Sequence, residues 1–180
     1  PRGAETLPES ISLTYGTSTL DLSIPGGFLA GPVIRPAALP PMTREAMGAR
    51  IDEALAAPLG RPPLRELVTG KRVAVVVSDE FRAGLHSLII DRLCEELRAG
   101  GPARVTFLCA TGTHDPAVYT PRIERLVMQH ATGLPVEFVA HDCDDPRLVS
   151  IGTSPLGTPV ALEPAFLRAD VRVYGHEAKH

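Results

Sequence analysis

Apolar positions along this chain fall into two regimes. In the first, Ile11 to Tyr15 and Thr19 to Ile24 alternate apolar or β-branched residues with polar ones around Gly16-Thr17-Ser18, which predicts a β-hairpin. Pro25-Gly26-Gly27 ends the second strand. The proline-rich stretch from Pro32 to Pro41 then runs extended to a helix capped by Thr43 and ending near Ala57-Pro58. A turn at Gly60 to Pro63 and a short helical L-R-E-L-V follow.

The second regime replaces alternation with continuous apolar runs. Val73 to Val77, Val105 to Ala110 and Val136 to Ala140 read as strands buried on both faces of a parallel sheet. Between the first two, Leu85, Leu88, Ile89, Leu93 and Leu97 form one stripe of a helix over residues 85 to 99, stopped by Gly100-Gly101-Pro102. Between the second and third, a helix opens at Thr120-Pro121, where a capping threonine and a first-turn proline are well suited. L-V-S-I-G and T-P-V-A-L flank Ser154-Pro155-Leu156-Gly157 as a second hairpin. A short helix at Pro164 to Arg168 precedes a last strand, Val171 to Tyr174. Consecutive β-α-β units with crossovers this short make right-handed parallel connections, so the expected fold is α/β with a Rossmann-like three-layer core. Residues 1–42 are then a hairpin and extended arm, and residues 43–180 the α/β core.

Composition narrows the functional classes. The 180 residues suffice for one domain with a real core, and the 44% hydrophobic and 22% charged shares are those of an ordinary soluble protein. No apolar run approaches the roughly 20 residues of a bilayer span. A formal charge of −3 with dispersed Lys and Arg provides no footprint for nucleic acid. Cys94, Cys109 and Cys143 lack C-x-x-C spacing and read as reduced cysteines of a cytoplasmic protein. The opening P-R-G-A-E-T-L-P-E-S has neither an initiator Met nor a signal core, which suggests a trimmed chain.

The chemistry gathers where two strands break off. V-A-V-V-V-S-D-E-F-R and V-T-F-L-C-A-T-G-T-H-D-P each pass abruptly from apolar run to reactive side chains, and parallel sheets bind ligands at the carboxyl ends of their strands. Asp79, Arg82 and His114 are therefore expected to share one crevice. An imidazole suits acid–base work near neutral pH, an arginine fork suits a carboxylate or phosphate, and an aspartate can orient either. Two plainer accounts compete: an Asp79–Arg82 structural ion pair, and a loop histidine bonded to a neighbour.

His176 and His180 flank Glu177 at a spacing of four, which on a helix would align two metal ligands, although Gly175 argues against a helix. His141, Asp142, Cys143 and Asp144 resemble a metal set in composition, but Asp-Asp-Pro more often makes a turn. His86 and His130 fall in helices and read as structural. Neither G-x-G-x-x-G, nor G-x-x-x-x-G-K-[ST], nor G-x-S-x-G occurs.

Taken together, P-L-G-R-P-P-L-R-E-L, V-V-V-S-D-E-F-R, C-A-T-G-T-H-D-P, S-I-G-T-S-P-L-G-T-P-V and A-D-V-R-V-Y-G-H-E-A-K-H resemble the amino-terminal domain of the nickel-pincer lactate racemase family. The resemblance covers essentially the whole chain and roughly the first half of a family member. It implies a two-domain enzyme that inverts a 2-hydroxy acid by passing a hydride to and from a nickel pincer built on a pyridinium mononucleotide, while two histidines alternate as acid and base. By motif position these are His114 and His180. Arg82 is implied at the substrate carboxylate; Asp79, Gly112 and Thr113 are implied at the cofactor. The lysine that tethers the cofactor and the histidine that ligates nickel are implied beyond His180, so no metal ligand is expected within this chain and the piece alone is expected to be inactive. The family's usual S-D-H-T-R-P reads S-D-E-F-R-A here, and Asp115 stands where arginine is common, so the resemblance does not fix the substrate as lactate. A binding or regulatory module of the same fold, and a nicotinamide-dependent oxidoreductase, are the alternatives.

Overall fold

A computed structural model describes residues 10–24, 40–82 and 86–175. The extended arm before Pro40, Leu85, His176 and His180 lie outside the described residues. The chain divides into two units, Pro1–Pro41 and Met42–His180.

In the first unit, β1 (Ser10–Tyr15) pairs antiparallel with β2 (Ser18–Ser23), and Tyr15 faces Ser18 across the turn. Gly16 has φ +60°. Two-residue hairpin loops place a positive φ at this first central position, where glycine is free of strain. The turn is thus Gly16-Thr17, and Ser18 already belongs to the second strand.

The second unit begins with α1 (Arg44–Ala56), where Thr43 Oγ1 accepts the Ala46 N–H at 3.2 Å as an N-cap should. α2 (Leu64–Leu67) leads to β3 (Arg72–Ser78), α3 (His86–Gly100) and β4 (Arg104–Ala110). A single turn, α4 (Pro116–Tyr119), precedes α5 (Pro121–His130) and β5 (Val136–Ala140). The hairpin β6 (Val149–Thr153) and β7 (Pro159–Leu162), then α6 (Pro164–Arg168), complete the way to β8 (Val171–Gly175).

The main sheet has the order β5-β4-β3-β8, and every pair is parallel. Successive strands step from β3 through β4 to β5, and β8 then returns to the other side of β3. The direction of winding therefore reverses between β3 and β8, and such a reversal opens a crevice at the carboxyl edge of the sheet.

One face of this sheet carries the core. Val73, Val75 and Val77 of β3 and Val105, Phe107 and Cys109 of β4 are buried against Ile90, Leu93, Cys94 and Leu97 of α3 and Ile123 and Val127 of α5. The buried stripe of α3 differs from the expected one, because Ile90 and Cys94 face the sheet while Ile89 is only partly buried. Two adjacent isoleucines cannot both be ranked by spacing alone when each fits a helical period. On the opposite face, Val76 and Leu108 line a pocket of about 240 Å³ with Leu162, Phe166 and Tyr174, so α6 and β7 cover that side. Burial pushes the Cys94 thiol up to about 11 and the Cys109 thiol up to about 12, the latter helped by the negative charges of Asp79 and Glu80. Cys143 is exposed, and all three cysteines are free. No helix among the described residues is long and apolar enough to cross a membrane.

Gly100 is where α3 meets α2. A Cβ there would stand 2.5 Å from the Arg65 carbonyl oxygen and collide with Val68 Cγ2. In an open helix Gly→Ala gains about 1 kcal/mol. Here the clash is with backbone and outweighs that gain, so Gly100→Ala is expected to destabilise the domain by about 1–3 kcal/mol. Urea denaturation measures this, and an unchanged midpoint would show that α2 can shift away freely.

Candidate active site

β3 and β4 deliver adjacent loops. β3 ends at Ser78, and the next residue, Asp79, is buried, with its side chain 4% exposed. β4 ends at Ala110 and enters a tight turn in which the His114 N–H donates to the Thr111 carbonyl at 3.1 Å. Gly112, at φ +64°, supplies the left-handed residue that this turn requires. The turn brings His114 back over β3, and its Nδ1 lies 2.5 Å from Asp79 Oδ2.

This contact joins the two expected site residues directly. When Nδ1 carries its proton it donates to the carboxylate, and Nε2 presents a lone pair; a histidine's second nitrogen is set by what holds the first. Nε2 has no partner among the described residues. The His114 side chain is 35% exposed, so one side of the ring reaches solvent. The Asp79–Arg82 ion pair does not form. Asp79 accepts the Arg82 backbone N–H on its carbonyl at 3.3 Å, and the exposed Arg82 guanidinium pairs with no described residue.

The backbone N–H groups of Gly112 and Thr113 likewise donate to no described group, and no atom lies within 4 Å of a Cβ built on Gly112. Two free donors beside open space suit an anion such as a nucleotide phosphate. Metal ligands are a different matter. Among the described residues the only compact set is Asp142, Cys143 and Asp144, exposed in the loop after β5. There Asp142 Oδ1 accepts the Asp144 N–H at 3.0 Å, as in an ordinary Asx turn.

Several participants were not singled out from sequence. Phe81 and Tyr119 pack against the His114 ring with centroids 4.9 and 5.0 Å away, and against each other edge-on at 6.2 Å. Glu80 ties the β3 loop to α5: its N–H donates to the Tyr119 carbonyl at 3.0 Å, and its Oε1 accepts the Arg122 N–H at 2.6 Å. The helix does open at Thr120-Pro121, but Thr120 makes no side-chain cap and donates instead to the Pro116 carbonyl at 2.8 Å. Glu80 caps α5 in its place, and Asp115 caps the single turn α4 through the Ala117 N–H at 2.9 Å. A cap supplied from forty residues away leaves no local signal.

A further chain of bonds anchors the turn from behind. Thr111 Oγ1 donates to the His141 carbonyl at 2.6 Å, the His141 N–H donates to the Cys109 carbonyl at 3.1 Å, and His141 Nδ1 meets Glu163 Oε1 at 2.8 Å. His86 Nε2 lies 2.8 Å from Ser78 Oγ, and His130 Nδ1 lies 2.9 Å from Asp91 Oδ1, linking α5 to α3.

Replacing Glu80 by Ala is expected to destabilise the domain by about 1 kcal/mol, the usual worth of a lost N-cap, with Gln recovering most of it because it keeps an acceptor. Hydrogen exchange at the first turn of α5 reports this directly. Equal protection in all three proteins would show that water replaces the cap without cost.

Comparisons with known proteins bear on this geometry. A family model described as the lactate racemase N-terminal domain matches residues 15–177. Among solved structures, the lactate racemase apoprotein from Thermoanaerobacterium thermosaccharolyticum is 25% identical with a TM-score of 0.69, over 92% of this chain and 38% of that one. A Thermotoga maritima protein is 20% identical with a TM-score of 0.52, over 74% of this chain and 33% of that one, a likeness of fold. No curated protein sequence matches. The chain thus spans well under half the length of either solved structure. On the strength of the family match, which takes in the hairpin turn, the α/β core and both site loops, the chain belongs to the lactate racemase N-terminal domain family.

Proposed function

We propose that this chain forms the substrate-facing half of a 2-hydroxy acid racemase or epimerase, completed by a second domain. The observation that carries this reading is the buried Asp79 held against a half-exposed His114, with Arg82, unpaired among the described residues, three residues along the same loop.

Each group has work that its environment suits. Asp79 holds the His114 ring through Nδ1, so Nε2 is turned toward a substrate hydroxyl, whose proton it can take and later return. Arg82 can grip the adjacent carboxylate through two parallel hydrogen bonds, which orients the hydroxyl. His180 is proposed as the second acid–base group, alternating with His114 at the substrate hydroxyl. Gly112 and Thr113 would hold the phosphate of a bound mononucleotide through their free N–H groups, with Asp79 lining the same space. The chemistry that a nickel-pincer nucleotide supplies when bound is reversible hydride acceptance at the substrate carbon. The described residues fit the anionic end of such a group and the proton transfers, and the metal's own ligands are assigned to the rest of the enzyme.

In the full-length enzyme with its cofactor, His114→Ala is expected to lower turnover by about 10²–10⁴-fold, the range for a lost general acid–base group, while far-ultraviolet circular dichroism stays native. A chiral assay of racemisation measures it, and wild-type turnover in the variant would remove His114 from the chemistry. Arg82→Lys is expected to act differently. An ammonium keeps the charge but loses the planar fork, so KM should rise more than kcat falls; unchanged values of both would place the carboxylate elsewhere.

A further inference from the structure

We infer that Phe81 is a specificity-determining wall of this site, and that the preferred substrate is a 2-hydroxy acid whose side chain is a bulky apolar group, branched alkyl or aryl, rather than the methyl group of lactate. The inference rests on the reading of the site as a 2-hydroxy acid racemase and names the substrate class that reading leaves open.

Phe81 adjoins both groups that would address a substrate's polar end, one in sequence and one in space. Arg82 follows it in sequence, and the His114 ring lies 4.9 Å from its own at an interplanar angle of 56°. Tyr119 closes a triangle of rings, 5.0 Å from His114 and edge-on to Phe81 at 81°. Despite these contacts, Phe81 remains 61% exposed. An apolar ring left in water beside an acid–base residue gains by being covered, and the gain grows with the apolar area removed from water.

The ring is presented by a fixed backbone. Asp79 is buried and bonded to His114, Glu80 is bonded at both its N–H and its carboxylate, and the Arg82 N–H closes the turn on the Asp79 carbonyl. Phe81 is therefore the one member of the tetrad Asp79 to Arg82 whose side chain is apolar, and it is held outward by neighbours that are pinned. A polar residue would serve a small substrate equally well at such a position. A methyl group is too small to cover a phenyl ring, whereas a branched or aromatic side chain can.

The test compares the full-length enzyme with Phe81→Thr and Phe81→Leu, using lactate, 2-hydroxyisocaproate and 3-phenyllactate. One methylene group in an apolar pocket changes kcat/KM by about 10- to 200-fold, so the wild type should favour the two bulky acids over lactate by at least about 10-fold. Phe81→Thr should shrink that ratio by a similar factor, with Phe81→Leu between. Calorimetric titration of the same acids into the cofactor-free enzyme gives a second readout: Phe81→Thr should weaken 3-phenyllactate binding selectively. A wild type that prefers lactate, or a ratio that Phe81→Thr leaves within twofold, overturns the inference while the racemase reading stands. An equal loss on all three acids with a lower melting temperature also overturns it, and shows that Phe81 packs against another part of the enzyme. Failure of the wild type to racemise any of the three overturns the racemase reading itself, and this inference with it.

Discussion

A carboxylate taken out of water must be hydrogen-bonded, and Asp79, with its side chain 4% exposed, meets that demand through His114. His114 is partly open to solvent, so losing it would cost about 1–3 kcal/mol, the penalty of a buried acceptor left without its hydrogen bond, rather than that of a fully buried ion pair. The two loops are consequently not free to move apart, and every other feature of the site is arranged around their junction. The β3 loop must reach β4's turn, the turn must be tight enough to bring His114 back over the sheet, and the neighbouring strands must be parallel so that both loops leave from one edge.

Much of the fold was legible because the constraints behind it are periodic or local. Continuous apolar runs mark strands of a parallel sheet, and β3, β4 and β5 lie where those runs fall; β3 and β4 are buried on both faces as expected, whereas β5 at the sheet edge is only partly buried and β8 at the other edge alternates. Thr43 before a helix and Gly16 in a two-residue turn are chemical requirements that a short window displays. Asp79 and His114 were legible for a related reason: each is a reactive residue in the polar break after an apolar run, and parallel strands bring such breaks to one edge. Adjacency of β3 and β4 then followed from the short crossover between them.

What could not be read depends on partners distant in sequence. Thr120 looks like a cap, yet Glu80 takes the role because its own N–H is already bonded to Tyr119 and its carboxylate lands on the Arg122 N–H. Ile89 and Ile90 compete for one helical face, and only the position of the sheet decides between them. Charged residues in the β3 loop drew attention to ion pairing, whereas the pairing that forms crosses to another loop and leaves Arg82 without a partner among the described residues. Tyr119 carried no motif, and Phe81 entered only as a departure within S-D-E-F-R-A; an aromatic residue in a polar break is the one local hint that a ring is being presented there.

Rigidity and availability are divided between backbone and side chains within the same few residues. Thr111 is bonded to the His141 carbonyl, which is itself fixed by the His141–Cys109 bond and backed by Glu163, so the turn that carries His114 is anchored to β5 as well as to β4. Glu80 performs the corresponding service for the β3 loop. Between these anchors, the groups that would touch a ligand have no partners among the described residues: the Arg82 guanidinium, His114 Nε2 and the N–H groups of Gly112 and Thr113. Binding or proton transfer there need not first break an internal bond or order a loose loop, which is the physical content of preorganisation. An ordinary surface loop shows the opposite arrangement, with side chains satisfied among themselves and a backbone free to move.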